Sequence, residues 1–394
     1  MSDNNIVIEI EGQNLSDFIS GNVSIQLNQF CNTFNFVTTK SLAKEYNIFP
    51  EDECRIFIND KLALTGTIDT VSPSATPDGS TVEVTGRDIT CDIVDSCLPN
   101  NIALSGTFNL KSVIELVVKL LGLDEKIKVI NNIKDLPNFT SADIVSAEVD
   151  ENCFEFINKY AQKVSAILYT NAEGNIVMTR AGEERYADKL VNEINGEDNN
   201  IISSNAGYDY TQRYYKYIVY SQDNANTQTN KISIDNVARK GIAYDDEIRE
   251  TRVLVQKAEN SCNSATCQEI ATLEANVRRA NSLKYSCKVY GYETNDGNLW
   301  QINKLIQVYD IDEDVDSELL IKGLTFSMGG EEGSTTDIDL ALCDAYTLQA
   351  SLDKLNERTN KTKTTKKKKK GKKGKKGKGV DKALIDDLNK KLGL

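Results

Sequence analysis

Histidine is absent from this chain of 394 residues. Its absence removes the imidazole that most often serves as a general base, as a zinc ligand or as a proton switch near neutral pH. The sequence also lacks the G-x-S-x-G, Walker A and H-E-x-x-H patterns of several hydrolases and nucleotide-binding proteins. These absences count against many classes of enzyme, so we expect no catalytic residue, no cofactor and no bound metal.

Long apolar runs are also missing. No stretch approaches the roughly 20 consecutive apolar residues that a membrane-spanning helix needs. The N-terminal sequence MSDNNIVIEIEG has no basic segment followed by an apolar one, which a secretory signal would require. We therefore expect a protein that is made in a cytoplasm and has no membrane partner.

Cysteine is present, but in no pattern that indicates a metal or disulfide framework. The cysteines are nine, an odd number, and none belongs to a C-x-x-C motif. Several fall at apolar positions of predicted strands or helices, so buried reduced thiols are the expected state. They are Cys31, Cys54, Cys91, Cys97, Cys153, Cys262, Cys267, Cys287 and Cys343.

Charge is segregated along the chain. Residues 361–394 carry fifteen lysines and three aspartates, a net charge of +12, whereas the whole chain carries −13, which leaves −25 for the first 360 residues. An acidic body with a basic tail predicts two parts with different partners. The acidic body should repel nucleic acid, whereas the tail should attract it.

The first part of the chain, residues 1–97, reads as short strands separated by turns. Apolar residues alternate with polar ones in six segments, and Gly, Asn, Asp and Pro lie between the segments. This spacing predicts a small antiparallel barrel. The alternating apolar positions are Ile6, Ile8 and Ile10; Val23, Ile25 and Leu27; Phe34 and Phe36; Ile56 and Ile58; Leu62 and Leu64; and Val82 and Val84.

Residues 98–198 form a predicted α/β middle domain. Asn109 is a suitable N-cap for a helix that Gly122 would end, and a second helix covers residues 152–164. Two strands follow, at residues 166–170 and 176–180, with a turn between them. This pattern is typical of helices packed on a hairpin.

Residues 199–346 return to strand character and contain one helix. Two strands joined by a tight loop at Asp296-Gly297 are predicted from Leu283 to Asp310, with the only tryptophan, Trp300, as a buried anchor. Before them lie a polar loop at 223–243, a strand at 252–256 and a helix at 264–283. Tyrosines crowd residues 208–220, which favours sheet packing or a subunit contact over nucleic-acid binding because few basic residues lie nearby.

Two groups of acidic residues are candidates for a functional site. Asp88, Asp92 and Asp95 share one predicted helix face, where a cap and a solvated surface are favoured over a carboxylate cluster. Residues 310–318 begin like a calcium loop, but Val315 replaces the required Gly and Ile321 the required Glu. We interpret this second stretch as an acidic surface turn.

The end of the chain has two predicted pieces. The Lys-rich stretch at residues 347–379 should form a disordered, flexible linker, because it cannot bury enough apolar surface to fold. Residues 380–394 can form a short amphipathic helix that needs a groove on a partner. Its predicted partner-binding residues are Val380, Leu384, Leu388 and Leu392.

Several segments, taken in order, resemble the phage Mu-like baseplate hub proteins. The segments are EVTGRDITCDIVDSC (83–97), AILYTNAEGNIVMTR after a helix (166–180), a strand and helix before residue 283, the pattern DGNLW with its following strand (296–310), ELLIKGLTFSM (318–328) and TDIDLALCDAY (336–346). The chain more loosely resembles the hub of phage T4 and the N-terminal region of type VI secretion spike proteins.

The resemblance implies a fold and a function. The fold class would be α+β and rich in β-structure, with two small antiparallel β-barrel domains (1–97 and 199–346), α/β insertions and the disordered tail. The protein would be a homotrimeric adaptor in the virion, assembled in the host cytoplasm, that joins a hexameric tail tube protein to a trimeric central spike protein and lines part of the DNA channel. The Lys-rich tail adds a tape measure protein or DNA as candidate partners.

Two alternatives remain open at this point. A tail-associated cell-wall hydrolase needs two carboxylates with separated pKa values, and this acidic chain offers many candidates but no motif. A protein that binds nucleic acid or another partner through the Lys-rich tail is the other alternative. Twelve lysines between Lys361 and Lys378 could contact phosphates, and such binding would fall steeply with salt.

Overall fold

A sheet of 13 strands is the largest element of the structure, which is a computed structural model. The structure describes residues 5–27, 29–77, 79–98, 106–140, 147, 150–194, 196–221, 239–258, 262–329, 333–347 and 352. None of the helices in these residues is long and apolar enough to cross a membrane. The β-rich α+β class predicted from the sequence is confirmed.

The N-terminal part contains each of the six predicted strands. Their alternate apolar side chains, such as Ile6, Ile8 and Phe36, are buried in the main hydrophobic core. A short strand and a short helix were not predicted, because elements this brief carry little periodic signal. The elements are β1 (Ile6–Ile10), β2 (Gln13–Leu15), β3 (Ser20–Gln26), β4 (Thr33–Thr39), α1 (Lys40–Glu45), β5 (Glu53–Ile58), β6 (Lys61–Thr76), β7 (Gly79–Asp88) and α2 (Cys91–Asp95).

The middle part builds a second core from two helices and short strands. The predicted caps are confirmed: the Asn109 side chain accepts from the Ser112 backbone N–H, and Gly122 ends the helix at a φ of 72°. The elements are β8 (Phe108–Asn109), α3 (Leu110–Leu120), β9 (Val129–Asn131), β10 (Asn138–Phe139), α4 (Cys153–Val164), β11 (Ile167–Thr170) and β12 (Ile176–Thr179).

The last part returns to the large sheet and carries one inserted module, which consists of three strands and a helix between residues 216 and 280. Lys240–Tyr244 is a strand, although most of it falls in the loop predicted at 223–243. Residues 223–238 of that predicted loop lie outside the described residues. The elements are β13 (Glu184–Asn192), β14 (Ile201–Tyr208), β15 (Lys216–Tyr220), β16 (Lys240–Tyr244), β17 (Val253–Lys257), α5 (Ser264–Ala280), β18 (Leu283–Tyr290), β19 (Lys304–Asp310), β20 (Val315–Gly329) and β21 (Thr335–Ala341).

The N-terminal and C-terminal strands join in one sheet through β3 and β20. These strands pair antiparallel over seven residue pairs, from Gln26 opposite Gly323 to Ser20 opposite Gly329. The strand order is β14-β18-β21-β20-β3-β4-β7-β6-β5-β1-β2, with β13 paired to β19 and β19 to β20. Its two ends do not pair, so no closed barrel is found among the described strands. The structure thus corrects the expectation of two separate barrels, because alternation predicts strands but not their partners.

The predicted hairpin between residues 283 and 310 is also corrected. β18 pairs with β14 and β21, whereas β19 pairs with β13 and β20. The turn itself forms, since Gly297 has a φ of 72° and donates to the Thr294 carbonyl, but only one bridge, Glu293 to Leu299, spans it. Trp300 is buried as predicted and packs edge-on against Tyr186, with ring centroids 5.4 Å apart.

Asp88 does not cap a helix as predicted. Its buried carboxylate accepts hydrogen bonds from the backbone N–H groups of Asn32 and Thr90, each at 2.9 Å, and Thr90 reaches Thr170 of the middle part. Burial raises the pKa of Asp88 although these hydrogen bonds act in the opposite direction. Asp92 and Asp95 are exposed, as predicted. The carboxylate therefore ties the N-terminal sheet to the middle part.

The domain boundaries predicted from the sequence remain predictions. The linker at 347–379 and the helix at 380–394 lie outside the described residues, apart from Thr347 and Leu352.

We expect Phe326→Ala to lower the free energy of unfolding by about 3–5 kcal/mol, because it empties a fully buried ring site in β20 opposite Val23. Chemical denaturation of the full chain measures this loss. Phe49→Ala is the matched control, since that ring is 56% exposed. A loss for Phe326→Ala no larger than that of the control would contradict the packing described.

Candidate assembly surface

Strands β15, β16 and β17 form a small sheet of their own, with β15 in the centre. β15 pairs antiparallel with β16 and parallel with β17. Helix α5 covers one face of this sheet, where Val219 packs with Ile270 and Ala271. Because side chains alternate along each strand, the other face carries the remaining side chains, and those at both ends of β16 and at alternate positions of β17 are exposed.

A glycine brings the helix close to the sheet. A Cβ placed at Gly241 in β16 would lie 2.1 Å from the carbonyl carbon of Cys267 in α5, far inside any contact that a side chain can make. The helix backbone therefore rests directly on β16.

We call the uncovered side of this sheet the open face. It presents three rows of residues that lie side by side across the strands. The central row is entirely apolar, and the outer rows carry lysines and tyrosines. The rows are Tyr244, Lys216 and Val253; Ile242, Ile218 and Val255; and Lys240, Tyr220 and Lys257.

Large apolar side chains on the open face are exposed. Val255 is 58% exposed, Tyr244 52% and Val253 46%. Three strands about 4.8 Å apart and five residues long cover roughly 250 Å². A stable protein interface buries about 800 Å² on each partner, so the open face can supply only part of one.

The electrostatics of the open face differ from those of the rest of the body. Its nine positions include three lysines and no carboxylate, although the first 360 residues carry a net charge of −25. The Lys216 ammonium lies 5.6 Å from the centre of the Tyr244 ring. An apolar centre with a basic rim is complementary to an acidic protein surface that itself exposes apolar groups.

A buried cluster of charged side chains connects β15, β16 and α5 of this module. Arg213, before β15, makes two hydrogen bonds of 2.9 Å to Asp245, which follows β16. Arg279 of α5 donates to the same carboxylate at 3.0 Å. Burial by itself would raise the pKa of Asp245, but the hydrogen bonds from Arg213 and Arg279 outweigh it and hold the pKa below its usual value. One carboxylate thus fixes two strands and the helix.

The tyrosine-rich segment contributes to both sides of the module. Tyr217 is buried, and Tyr214 lies between the guanidinium groups of Arg252 and Arg278, at 5.0 and 5.6 Å. Tyr215 packs against Tyr244 at 5.5 Å. The sequence interpretation missed that strand pairing places Lys240 and Lys257 on either side of Tyr220, on the same face as Lys216.

The acidic stretch interpreted as a surface turn has one buried carboxylate. Asp310 is 1% exposed and accepts hydrogen bonds from the Tyr285 hydroxyl at 2.6 Å and the Asn192 amide at 2.9 Å. Asp312 and Asp314 are exposed in the turn, as predicted. Within the described residues, no group of three or more Cys, Asp or Glu residues could hold a metal ion.

The partner-binding residues predicted in the tail, Val380, Leu384, Leu388 and Leu392, lie outside the described residues, so the structure neither brings them together nor separates them.

A cavity of about 610 Å³ lies between the three parts of the chain. Its lining includes Ile25, Tyr169, Glu184 and Trp300, and the Glu184 carboxylate is 3.2 Å from the Lys304 ammonium. Its lining also includes the hydroxyl groups of Thr170 and Thr179. We place the candidate site at the open face because large apolar side chains are exposed there.

Comparisons with known proteins agree with the resemblance seen in the sequence. Residues 5–88 match the family model described as Mu phage baseplate assembly protein GpP-like, N-terminal. The baseplate hub protein gp44 of Escherichia phage Mu is 22% identical over 315 residues, which cover 78% of this chain and 80% of that protein. The predicted resemblance to Mu-like baseplate hub proteins is confirmed.

Solved structures of two tail proteins share the fold. The 43 kDa tail protein of prophage MuSo2 from Shewanella oneidensis has a TM-score of 0.71 and 22% identity, covering 87% of this chain and 98% of that one. The tail protein from Neisseria meningitidis MC58 has a TM-score of 0.70 and 18% identity, covering 88% of this chain and 98% of that one. The arrangement of strands described above is therefore shared across nearly the full length of both proteins.

We expect Arg213→Ala to lower the free energy of unfolding by about 3–5 kcal/mol, because it leaves the Asp245 carboxylate buried without its main partner. The control is Arg185→Ala, which removes a surface ion pair with Glu318 and should cost about 0–1 kcal/mol. Urea denaturation of both variants measures the difference. Equal losses would show that the buried cluster does not stabilise the module.

We expect the free energy of unfolding of the Asp310→Asn variant to fall less steeply in acid than that of the wild type. Burial raises the pKa of Asp310, but hydrogen bonds from Ser204, Tyr285 and Asn192 outweigh it and leave the pKa lowered. A lowered folded pKa contributes stability above the unfolded value of about 3.9 and loses it as pH falls through the folded pKa.

The free energy of unfolding of wild type and variant, measured from pH 7 to pH 2, tests this expectation. The gap between the two curves should narrow in acid. Asp296→Asn, at an exposed turn residue, is the control, and its curve should run parallel to that of the wild type. A constant gap for Asp310→Asn would exclude the role assigned to this carboxylate.

Proposed function

We propose that this chain is a structural hub subunit of a phage tail baseplate or of a related injection machine, without catalytic activity. The observation that carries the proposal is the match of residues 5–88 to the baseplate family together with the shared fold of tail proteins over most of the chain. In this role the protein is a homotrimer in the virion, assembled in the host cytoplasm. It joins the hexameric tail tube protein to the trimeric central spike protein.

The large sheet supports a mechanical role. Its N-terminal and C-terminal strands are bonded across β3 and β20, so force applied to one part passes to the other through backbone hydrogen bonds. A protein that adapts three-fold to six-fold symmetry needs two similar tube-facing units held in a fixed relation. In the proposed assembly, strands of neighbouring copies would complete the ring that a single copy leaves open.

The charge of the body supports passage of DNA. A net charge of −25 over the first 360 residues would let a nucleic acid move through a channel without binding to its wall. The Lys-rich tail has the opposite sign, so a tape measure protein or DNA is the partner proposed for it.

The open face supports assembly between copies. Its lysines are complementary in charge to the acidic body of a neighbouring subunit. Burial of its apolar central row in such a contact is favourable. We assign it to the contact between two copies of this chain.

The native mass of the full-length protein in solution tests the trimer. A species near three times 43.8 kDa is expected, alone or after addition of the cognate spike protein. A monomer under both conditions would contradict the hub assignment.

We expect the triple variant Lys216→Glu, Lys240→Glu and Lys257→Glu to weaken the trimer about tenfold or more, because each change places a carboxylate against an acidic neighbour. The matched control is Lys40→Glu, Lys44→Glu and Lys119→Glu, which makes the same change in net charge at exposed positions of two helices. Native mass over a dilution series measures both. An unchanged trimer in the open-face variant would refute that surface as the contact and leave the hub assignment intact.

A further inference from the structure

Two cysteine sulfurs lie in contact at the start of α5. The Sγ atoms of Cys262 and Cys267 are 3.1 Å apart. Cys262 is 8% exposed and Cys267 is fully buried, and both belong to the small core under the covered face of the sheet. Neither the sequence spacing nor the similarity to baseplate proteins assigns a role to this pair.

The local geometry explains why the two sulfurs meet. Asn263 is the N-cap of α5, and its side chain accepts from the Thr266 N–H at 2.8 Å. Cys262 immediately precedes the cap, and Cys267 is the fourth residue of the helix. In many helices apolar side chains at these two positions pack together as a hydrophobic staple. Here both members of the staple are thiols.

We propose that Cys262 and Cys267 form a reversible disulfide, which replaces the packed staple with a covalent one when the protein meets an oxidising environment. The bond needs the sulfurs to approach from 3.1 Å to about 2.05 Å. The oxidant is a small-molecule disulfide such as oxidised glutathione.

The reaction proceeds in two exchange steps. The Cys262 thiol, the more exposed of the two, loses its proton, and its thiolate attacks one sulfur of the glutathione disulfide. One glutathione leaves as a thiolate and takes up a proton. The Cys267 thiol then loses its proton and attacks the Cys262 sulfur, which displaces the second glutathione. Two protein thiols are oxidised and one glutathione disulfide is reduced to two thiols.

The environment of Cys267 makes the second step slow at neutral pH. Burial, a hydrogen bond with Cys262 and the nearby Cys262 thiol raise the pKa of Cys267 to about 12, while the positive charge of Arg239 acts in the opposite direction. The reactive thiolate is therefore scarce near pH 7. The dithiol persists in a reducing cytoplasm, and the disulfide forms only during prolonged exposure to an oxidant.

The bond would fix the first turn of α5 against the strands that bear the open face. The Cys262 N–H donates to the Ser221 hydroxyl, just after β15, at 2.9 Å, and the Cys267 thiol lies 3.9 Å from the Arg239 carbonyl, just before β16. The chemistry is independent of the proposed function. Only the time at which the disulfide forms rests on that function, because a virion component leaves the reducing cytoplasm when the host lyses.

The test uses the full-length protein with oxidised glutathione at about pH 8.5, followed by alkylation and tryptic digestion. Trypsin cleaves after Lys257 and after Arg278, so both cysteines fall in one peptide, residues 258–278. We expect this peptide to be two hydrogen atoms lighter and resistant to alkylation, and to regain two alkylatable thiols after reduction. Two free thiols in this peptide, at a time when exposed Cys97 has formed a glutathione adduct, would overturn the proposal.

Two serine variants distinguish the Cys262–Cys267 disulfide from a glutathione adduct on one cysteine. Cys267→Ser should stop at one glutathione on Cys262, whereas Cys262→Ser should leave Cys267 unmodified. Oxidation of the wild type should slow hydrogen exchange of the first-turn amides of Thr266 and Cys267 by roughly tenfold, and neither variant should show this change. A wild-type protein that stops at the adduct, as Cys267→Ser does, would also overturn the proposal.

Discussion

The pairing of β3 with β20 is the constraint on which the architecture depends. It joins strands from opposite ends of the chain, and each of them already has a partner on its other side, β4 for the first and β21 for the second. Without it the large sheet would be two smaller sheets, each with an open edge of unpaired backbone groups. The buried carboxylates of Asp88 and Asp310 add side-chain ties on either side of this junction.

Local signals in the sequence account for most of the individual elements. Alternation located the strands of the N-terminal part, and the cap at Asn109 located the first helix of the middle part. The same signals failed for the segment around Trp300, where a turn motif lies between two strands that take other partners. Turn chemistry is decided by a few neighbouring residues, whereas strand pairing is decided by burial of distant surfaces.

The candidate surface illustrates the same limit. The sequence places Lys216 among tyrosines with little positive charge nearby, because Lys240 and Lys257 are distant along the chain. A parallel pairing with β17 and an antiparallel one with β16 bring the three lysines onto one face. The grouping of the three lysines on this face is thus a product of topology. The contact between the two cysteine sulfurs, in contrast, follows from cap positions that can be read locally.

The junction of β3 and β20 also bears on how the chain is made. Gln26 and its partner Gly323 are 297 residues apart in the sequence. At a synthesis rate of about 5–20 residues per second, the N-terminal strands would wait roughly 15–60 s for their partner to emerge from the ribosome. During that time β3 presents a bare edge, which is a template for mispairing with other nascent chains. The long interval favours a need for chaperone protection during synthesis, and it ensures that truncated chains lack the completed sheet.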